Sequence, residues 1–312
     1  MLRRVCRCRP RWTPPQRGVA TQTTTSKQFL EQHPRGAYTT ARTVGGGTAV
    51  FELDAHVSRT AASLRLMHED GGSALEAALE PARFREGFVR SVAASVESFK
   101  QSAGGEPTEV RVTLLAVWQG SALDFYCHAG KLPPPPSAPV VVEVRGSPRS
   151  AASAKDSAWV AQRQGLEQLR GAGVDEVILR GAGGELLEGS QTNFYAVRDG
   201  AVWTAADGVL EGTVRSLVLR VCAEQRIDVV LEPPNLRDLD EWEGCLISST
   251  SRLLLPIDTM RVCREGAVWD AALDRSRSFG ADKEALTSQL AKLVAEAVAE
   301  NSLPLREDAQ SD

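Results

Sequence analysis

The chain has little with which to hold a metal, grip nucleic acid or cross a membrane. Its 312 residues include four histidines, scattered at His33, His56, His68 and His128, and no Cys or His pair stands at metal-ligand spacing. No apolar run approaches the roughly 18 residues that a membrane helix needs. There is no Walker P-loop, and a net charge of -4 argues against nucleic acid as a partner. Gly181-Ala-Gly-Gly184 is followed by the acidic, strand-like ELLEGS instead of a helix, so it reads as a tight turn, as does the glycine triplet at 45–47. Six cysteines make no disulfide framework in a chain this long; Cys127, Cys222, Cys245 and Cys263 sit in apolar contexts that suit reduced, buried thiols.

Acid is missing from the first thirty residues, where Glu31 is the first carboxylate of the chain. Residues 1–17 carry six arginines, and a Thr-rich stretch follows without apolar periodicity. Arg-rich, hydroxyl-rich and acid-poor is the composition of an organelle transit peptide, with a disordered basic tail as the plainer alternative. The expectation is a leader over 1–28 and import into a mitochondrial matrix, a plastid stroma being the alternative. Without those six arginines, 30 basic residues face 40 acidic ones, and the mature chain is acidic.

What is present reads as a mixed α/β (α+β) chain of two domains. Residues 36–53 form two strands about the glycine triplet, and 54–67 a helix with Asp54 as N-cap. Phe84, Phe88, Val89, Val92, Val96 and Phe99 recur at helical spacing over 81–102. Strands follow near 108–118 and 122–128. The run LPPPPSAP at 132–139 can join neither helix nor inner strand, so it divides a small N-terminal domain (29–131) from a larger one (140–305), with a disordered tail over 306–312. Beyond it come strands near 139–145, 175–180, 192–198, 201–204, 227–232, 244–249 and 252–263. Helices fall near 156–170, 213–225, 235–241 and 282–301. Elements of both kinds alternate irregularly.

The candidate chemistry is a spaced set of polar residues. Lys155 follows small residues in PRSAASAKDSAW; a lysine in a tight, partly apolar place has its pKa lowered toward the nucleophilic range, although most lysines face water. Glu188 can pair with a protonated ring nitrogen or with a surface arginine. Gly212-Thr213-Val214 opens a helix, and a helix start with free N–H groups is a phosphate site, with Thr213 as a plain N-cap in competition. Ser248 to Ser251 crowd hydroxyls at the end of an apolar strand, where they cap a neighbour or hold an anion. Arg59 carries a fork suited to a phosphate, solvation being its default.

Taken together, these segments resemble the class IV aminotransferase family, the fold-type IV pyridoxal-phosphate (PLP) enzymes. The family includes branched-chain aminotransferases, D-amino acid aminotransferases and aminodeoxychorismate lyases. The resemblance runs from about Gly36 to Pro256. GAYTTARTV looks like the opening strand, and HVSR at 56–59 like a His-x-x-Arg that places Arg59 on the cofactor phosphate. Lys155 falls where the family has its Schiff-base lysine. EGSQTNF at 188–194 matches the Glu-x-x-x-x-Asn motif, Glu188 contacting the pyridine nitrogen and Asn193 closing the motif, and the 33-residue separation from Lys155 is right for the family. EGTVR at 211–215 resembles the phosphate turn (Gly212, Thr213, Val214), and SSTSRLLLPI at 248–257 the second phosphate-binding strand end (Ser249, Thr250).

Three positions depart from the pattern. Val214 stands where the family's turn has its threonine, so the hydroxyl contact either shifts to Thr213 or is lost. Val160 stands where branched-chain enzymes carry a tyrosine. Arg252 and Leu253 replace residues that are commonly small and acidic. The resemblance implies a homodimer with PLP in the cleft between two domains and small-molecule partners, an amino acid and a 2-oxo acid. Transamination is the expected reaction; lysis of aminodeoxychorismate to 4-aminobenzoate and pyruvate, or PLP binding without catalysis, are the alternatives.

Overall fold

The computed structural model describes residues 24–106, 108–280, 282 and 284–305. The tail at 306–312 and most of the expected leader lie outside them. In chain order the first unit comprises α1 (Ser26–Glu31), β1 (Ala37–Val44), β2 (Ala49–Phe51), α2 (Leu53–Met67), α3 (Gly72–Ala78), α4 (Pro81–Ser102), β3 (Val110–Gln119) and β4 (Ala122–Lys131). The second begins with β5 (Val141–Val144), α5 (Ala158–Gln162), α6 (Gln164–Gln168), β6 (Glu176–Arg180), β7 (Leu186–Gly189), β8 (Asn193–Arg198) and β9 (Ala201–Trp203). It continues with α7 (Thr213–Glu224), β10 (Val229–Val230), a 3₁₀ turn (Leu236–Glu241), β11 (Gly244–Ser249), β12 (Leu253–Pro256), β13 (Thr259–Val262), β14 (Arg275–Ser278), α8 (Leu286–Ala297) and β15 (Ser302–Pro304).

The first sheet is antiparallel, in the order β15-β2-β1-β3-β4. Period-two alternation gives it two faces. Val110, Val112, Leu114 and Ala116 of β3 pack with Leu53, Val57 and Leu64 of α2 and Phe84, Phe88 and Val92 of α4 in one core. On the opposite face Leu115 and Val117 bury against Tyr38 of β1 and against Phe29 and Leu30 of α1. The second sheet is mixed: β5 runs parallel to β6 and β13, while β8 pairs antiparallel with β7, β9 and β11. Neighbouring β8 residues again serve opposite layers, Tyr195 toward α7 and α8 and Phe194 toward Trp242 and Ile247.

Several expectations change in detail. α2 starts after Glu52, which sits in the left-handed region at φ 50°, so Asp54 lies in the first turn and is not the cap. The helix read over 156–170 is two short ones meeting at Arg163. The strand read over 252–263 is broken between Pro256 and Thr259, where the chain leaves β11 and pairs with β5 and β14. α1 begins inside the range read as leader, announced by a capping box between Thr25 and Gln28. β15 lies at the end of the range read as the larger domain yet pairs with β2 of the first sheet, tying the two units together. The proline run carries no regular secondary structure, as expected.

Among the described residues, no helix is long and apolar enough to cross a membrane and no cluster of three or more metal-ligating side chains occurs.

Candidate active site

A cavity of about 650 Å³ lies between the two units and gathers all nine of the sequence-derived candidates: Arg59, Lys155, Glu188, Asn193, Gly212, Thr213, Val214, Ser249 and Thr250. The proline run supplies Pro133, Pro134 and Pro136 to its wall, and α1 supplies Thr25, Ser26, Lys27 and Leu30.

Lys155 is stitched to both elements of the first unit that flank it. Its N–H donates to Ser63 Oγ on α2 at 3.0 Å, and its carbonyl accepts from Tyr38 N on β1 at 2.9 Å. The Nζ atom stands over the Tyr38 ring, 4.8 Å from its centroid. Burial draws the ammonium pKa down to about 8, with the charges of Arg59, Arg149 and Arg163 adding to the effect and Tyr38 opposing it. About a tenth of the amine is then neutral at pH 7, against about one part in 3000 for an ordinary lysine.

Glu188 lies on β7 with both oxygens engaged. Oε1 accepts from Arg149 Nε at 2.7 Å and Oε2 from the Leu210 N–H at 3.0 Å. Its arginine partner is thus buried, not on the surface. Each carboxylate oxygen retains a second lone pair for a further donor.

At another end of the cavity α7 starts at Gly212 with no side-chain cap. Its first N–H groups are therefore free to meet an anion, reinforced by the helix dipole. A Cβ on Gly212 would stand 2.2 Å from Asn193 Oδ1, so this approach requires glycine. Asn193 fixes the turn by donating to Leu210 O at 2.7 Å. Val214 is buried in the core beside α8 and offers only its backbone here. Thr213 Oγ1 lies 3.5 Å from Thr250 Oγ1. Ser249 braces the adjacent turn by accepting from Arg252 N at 3.3 Å.

Arg59 reaches the same end from α2, donating to Thr39 Oγ1 at 2.7 Å and to Glu211 O at 3.3 Å while its Nε is buried without a partner. Burial draws its pKa down to about 10, the sign of a cation in want of an anion. Burial, with Arg59 and Lys155 nearby, holds His56 well below its ordinary value, and its Nδ1 shares a 2.7 Å hydrogen bond with Thr39 Oγ1. His56 orients Thr39, and Thr39 orients Arg59.

Residues 36–260 match the family model described as amino-transferase class IV. The chain belongs to this family. A stretch of 88 residues, 28% of this class IV aminotransferase chain and 31% of the relative, is 33% identical to a putative branched-chain-amino-acid aminotransferase of Methanocaldococcus jannaschii. The match therefore spans about a third of that relative's length. Among solved structures, a putative branched-chain amino acid aminotransferase from Thermotoga maritima superposes with a TM-score of 0.62 at 21% identity, over 88% of this chain and 89% of that one. A hypothetical aminotransferase from Mycobacterium tuberculosis, in its PLP-bound form, superposes with a TM-score of 0.64 at 17% identity, over 92% and 96%. At these identities the likeness establishes the fold, which is of the mixed α/β class expected from the sequence.

Sequence reasoning on this class IV chain missed four contributors. Arg149, six residues before Lys155, grips Glu188 and lies over Trp159, 5.3 Å from the ring centroid. Trp159 donates Nε1–H to Ser190 O at 2.7 Å. Tyr38 sits in the quoted opening strand without a stated role. Arg163 lies at the junction of α5 and α6, and nothing in the local pattern marks it as buried. Arg252, noted as a departure, lines the cavity and is held by Glu176 at 3.2 Å and by Asp175 O at 3.0 Å.

Proposed function

We propose that this protein transfers an amino group between an amino acid and a 2-oxo acid with pyridoxal 5′-phosphate carried on Lys155. The observation that supports this most directly is one cavity with a depressed-pKa lysine, a carboxylate braced by an arginine, and a helix start beside an arginine whose Nε is unpartnered. The residues fit the cofactor: Arg59 and the N–H groups at Gly212–Val214 make a cradle for a phosphate, with Thr213 and Thr250 adding hydroxyls and Ser249 holding the turn. When bound, PLP supplies an electron sink for bond breaking at the substrate Cα.

The remaining steps belong to the chain. Lys155 would be the nucleophile toward the cofactor aldehyde and, once released by the incoming amine, would take the proton from the substrate Cα and deliver it to the cofactor C4′. Glu188 holds a proton at the ring nitrogen. Arg59 and the α7 start fix the phosphate, which fixes the ring, so the reacting bond is presented to Lys155 in a constant orientation. The proline run and α1 contribute to the cavity wall. A homodimer as the functional unit and a leader-directed mitochondrial matrix location, with a plastid stroma as its alternative, are part of the same proposal. The first rests on the family resemblance and the second on the Arg-rich composition of residues 1–17.

The test is a screen of L- and D-amino acids on purified PLP-loaded protein with 2-oxoglutarate as acceptor. Glutamate and pyruvate are followed in parallel. Donor-dependent glutamate formation that is lost in Lys155→Ala is expected. Pyruvate release without an acceptor would replace transamination by lysis, and a cofactor spectrum that answers no amine would leave a binding protein.

A further inference from the structure

Lysine is a long, flexible side chain, and a reacting amine needs one position. The ring of Tyr38 provides a platform under Lys155 Nζ, 4.8 Å from the centroid. Apolar neighbours grip the body of that ring: Phe29, Leu30, Leu115, Val117 and Val160. Three residues beyond Val160 in the chain stands Arg163, 7% exposed, which lines the same cavity and whose charge acts on the phenol.

Arg163 does not stand free. Its Nε donates to Glu167 Oε1 at 2.9 Å, one helical turn ahead, and Glu167 Oε2 accepts from Lys27 Nζ on α1 at 2.9 Å. Three paired side chains thus run from α1, which lies ahead of the family-matched residues 36–260, to the cavity that holds the amine.

We propose that Arg163, braced by Glu167 and Lys27, is a positioning residue for Lys155, fixing the hydroxyl end of Tyr38 and through it the place of the amine. The inference rests on the reading of Lys155 as the reacting group. Arg163 acts twice: it holds the ring, and its charge disfavours protonation of Lys155. The groups facing Lys155 are Tyr38 from β1, His56 and Arg59 from α2, Arg149 from the preceding loop, Glu188 from β7 and Arg163 itself. Burial would raise the Tyr38 phenol, and the charges of Lys155, Arg163 and Arg149 overcome this to lower it.

The experiment is the pH dependence of reductive methylation of Lys155 by formaldehyde and cyanoborohydride in the cofactor-free full chain, followed on the Lys155 peptide by mass spectrometry. Arg163→Met moves the midpoint up by about half a pH unit or more, and Arg163→Lys restores part of the shift. In a Tyr38→Phe background the effect of Arg163→Met shrinks to about a third or less. An unmoved midpoint in Arg163→Met, or equal shifts in the two backgrounds, overturns the proposal. Should Arg163→Met not fold, Glu167→Gln carries the test: removing its charge alone would lower the midpoint, so a rise marks loss of the brace and a fall or no change overturns it. The readout needs neither cofactor nor turnover, so a negative donor screen and a failed Arg163 assay are distinguishable.

Discussion

Arg149 donates from Nε to Glu188 Oε1 at 2.7 Å, with the two side chains only 9% and 4% exposed. The arginine is itself pinned, donating from Nη2 to Ala152 O at 3.0 Å. The buried carboxylate of Glu188 is thereby given one orientation before any ligand arrives. The arrangement also carries a liability, because each partner depends on the other for its solvation.

Replacing Arg149 by methionine keeps much of the side chain's bulk and removes its charge. Glu188 is then left buried with only the Leu210 N–H, and breaking a buried pair from one side costs about 3–5 kcal/mol. Thermal unfolding of the variant should show the midpoint falling by roughly ten degrees. A midpoint unchanged within error would show that the pair contributes nothing net.

Gly212→Ala tests the cradle. The added Cβ meets Asn193 Oδ1 at 2.2 Å, so either Asn193 gives up its bond to Leu210 O or the start of α7 shifts. Either change misaims the helix N–H groups, and PLP affinity should fall by about tenfold or more, read as quenching of tryptophan fluorescence during titration. Native-like affinity would remove the helix start from the phosphate site.

Much of this site was legible because its residues carry local signatures. Glu188 and Asn193 lie in one short motif, Gly212 opens a helix whose apolar periodicity is plain, and Arg59 falls three residues after His56 on another. The supports were not legible, because they act across long separations. Glu188 meets an arginine 39 residues away, and Lys27 meets a glutamate 140 residues away. α1 was hidden for a different reason: an Arg- and Thr-rich context read as leader masked a Thr25–Gln28 capping box that is a genuine helix-start signal. The return of β15 to the first sheet rests on three residues, Ser302 to Pro304, too few to show alternation.

Arg59→Gln separates phosphate binding from ring binding. The variant keeps a group able to donate to Thr39 but removes the cation and the unpartnered Nε. A hydrogen bond to a charged group contributes about 1.5–3 kcal/mol, so PLP affinity should fall by roughly ten- to a hundredfold. Unphosphorylated pyridoxal should bind the variant and the parent alike. Equal losses for both ligands would place Arg59 on the ring or in the fold instead of on the phosphate.

The amine of Lys155 makes the cofactor-free protein's stability depend on pH in a direction opposite to that of a paired lysine. In the unfolded chain it keeps its proton up to about 10.5, whereas in the folded chain it gives it up from about 8 because burial and three arginines disfavour the charge. Between those values the unfolded state binds more protons, so folding gains stability as pH rises through the window, and below pH 8 the full penalty stands. Lys155→Met removes the penalty while keeping an unbranched apolar stem over Tyr38. At pH 7 the cofactor-free variant should therefore melt several degrees above the parent, since the fall from about 10.5 to about 8 corresponds to about 3 kcal/mol. The gap should close as both proteins are taken to about pH 10.5. A gap that stays constant across the series, or a variant less stable than the parent at pH 7, would show that Lys155 is well solvated in the folded state and that its amine is not primed by the cavity.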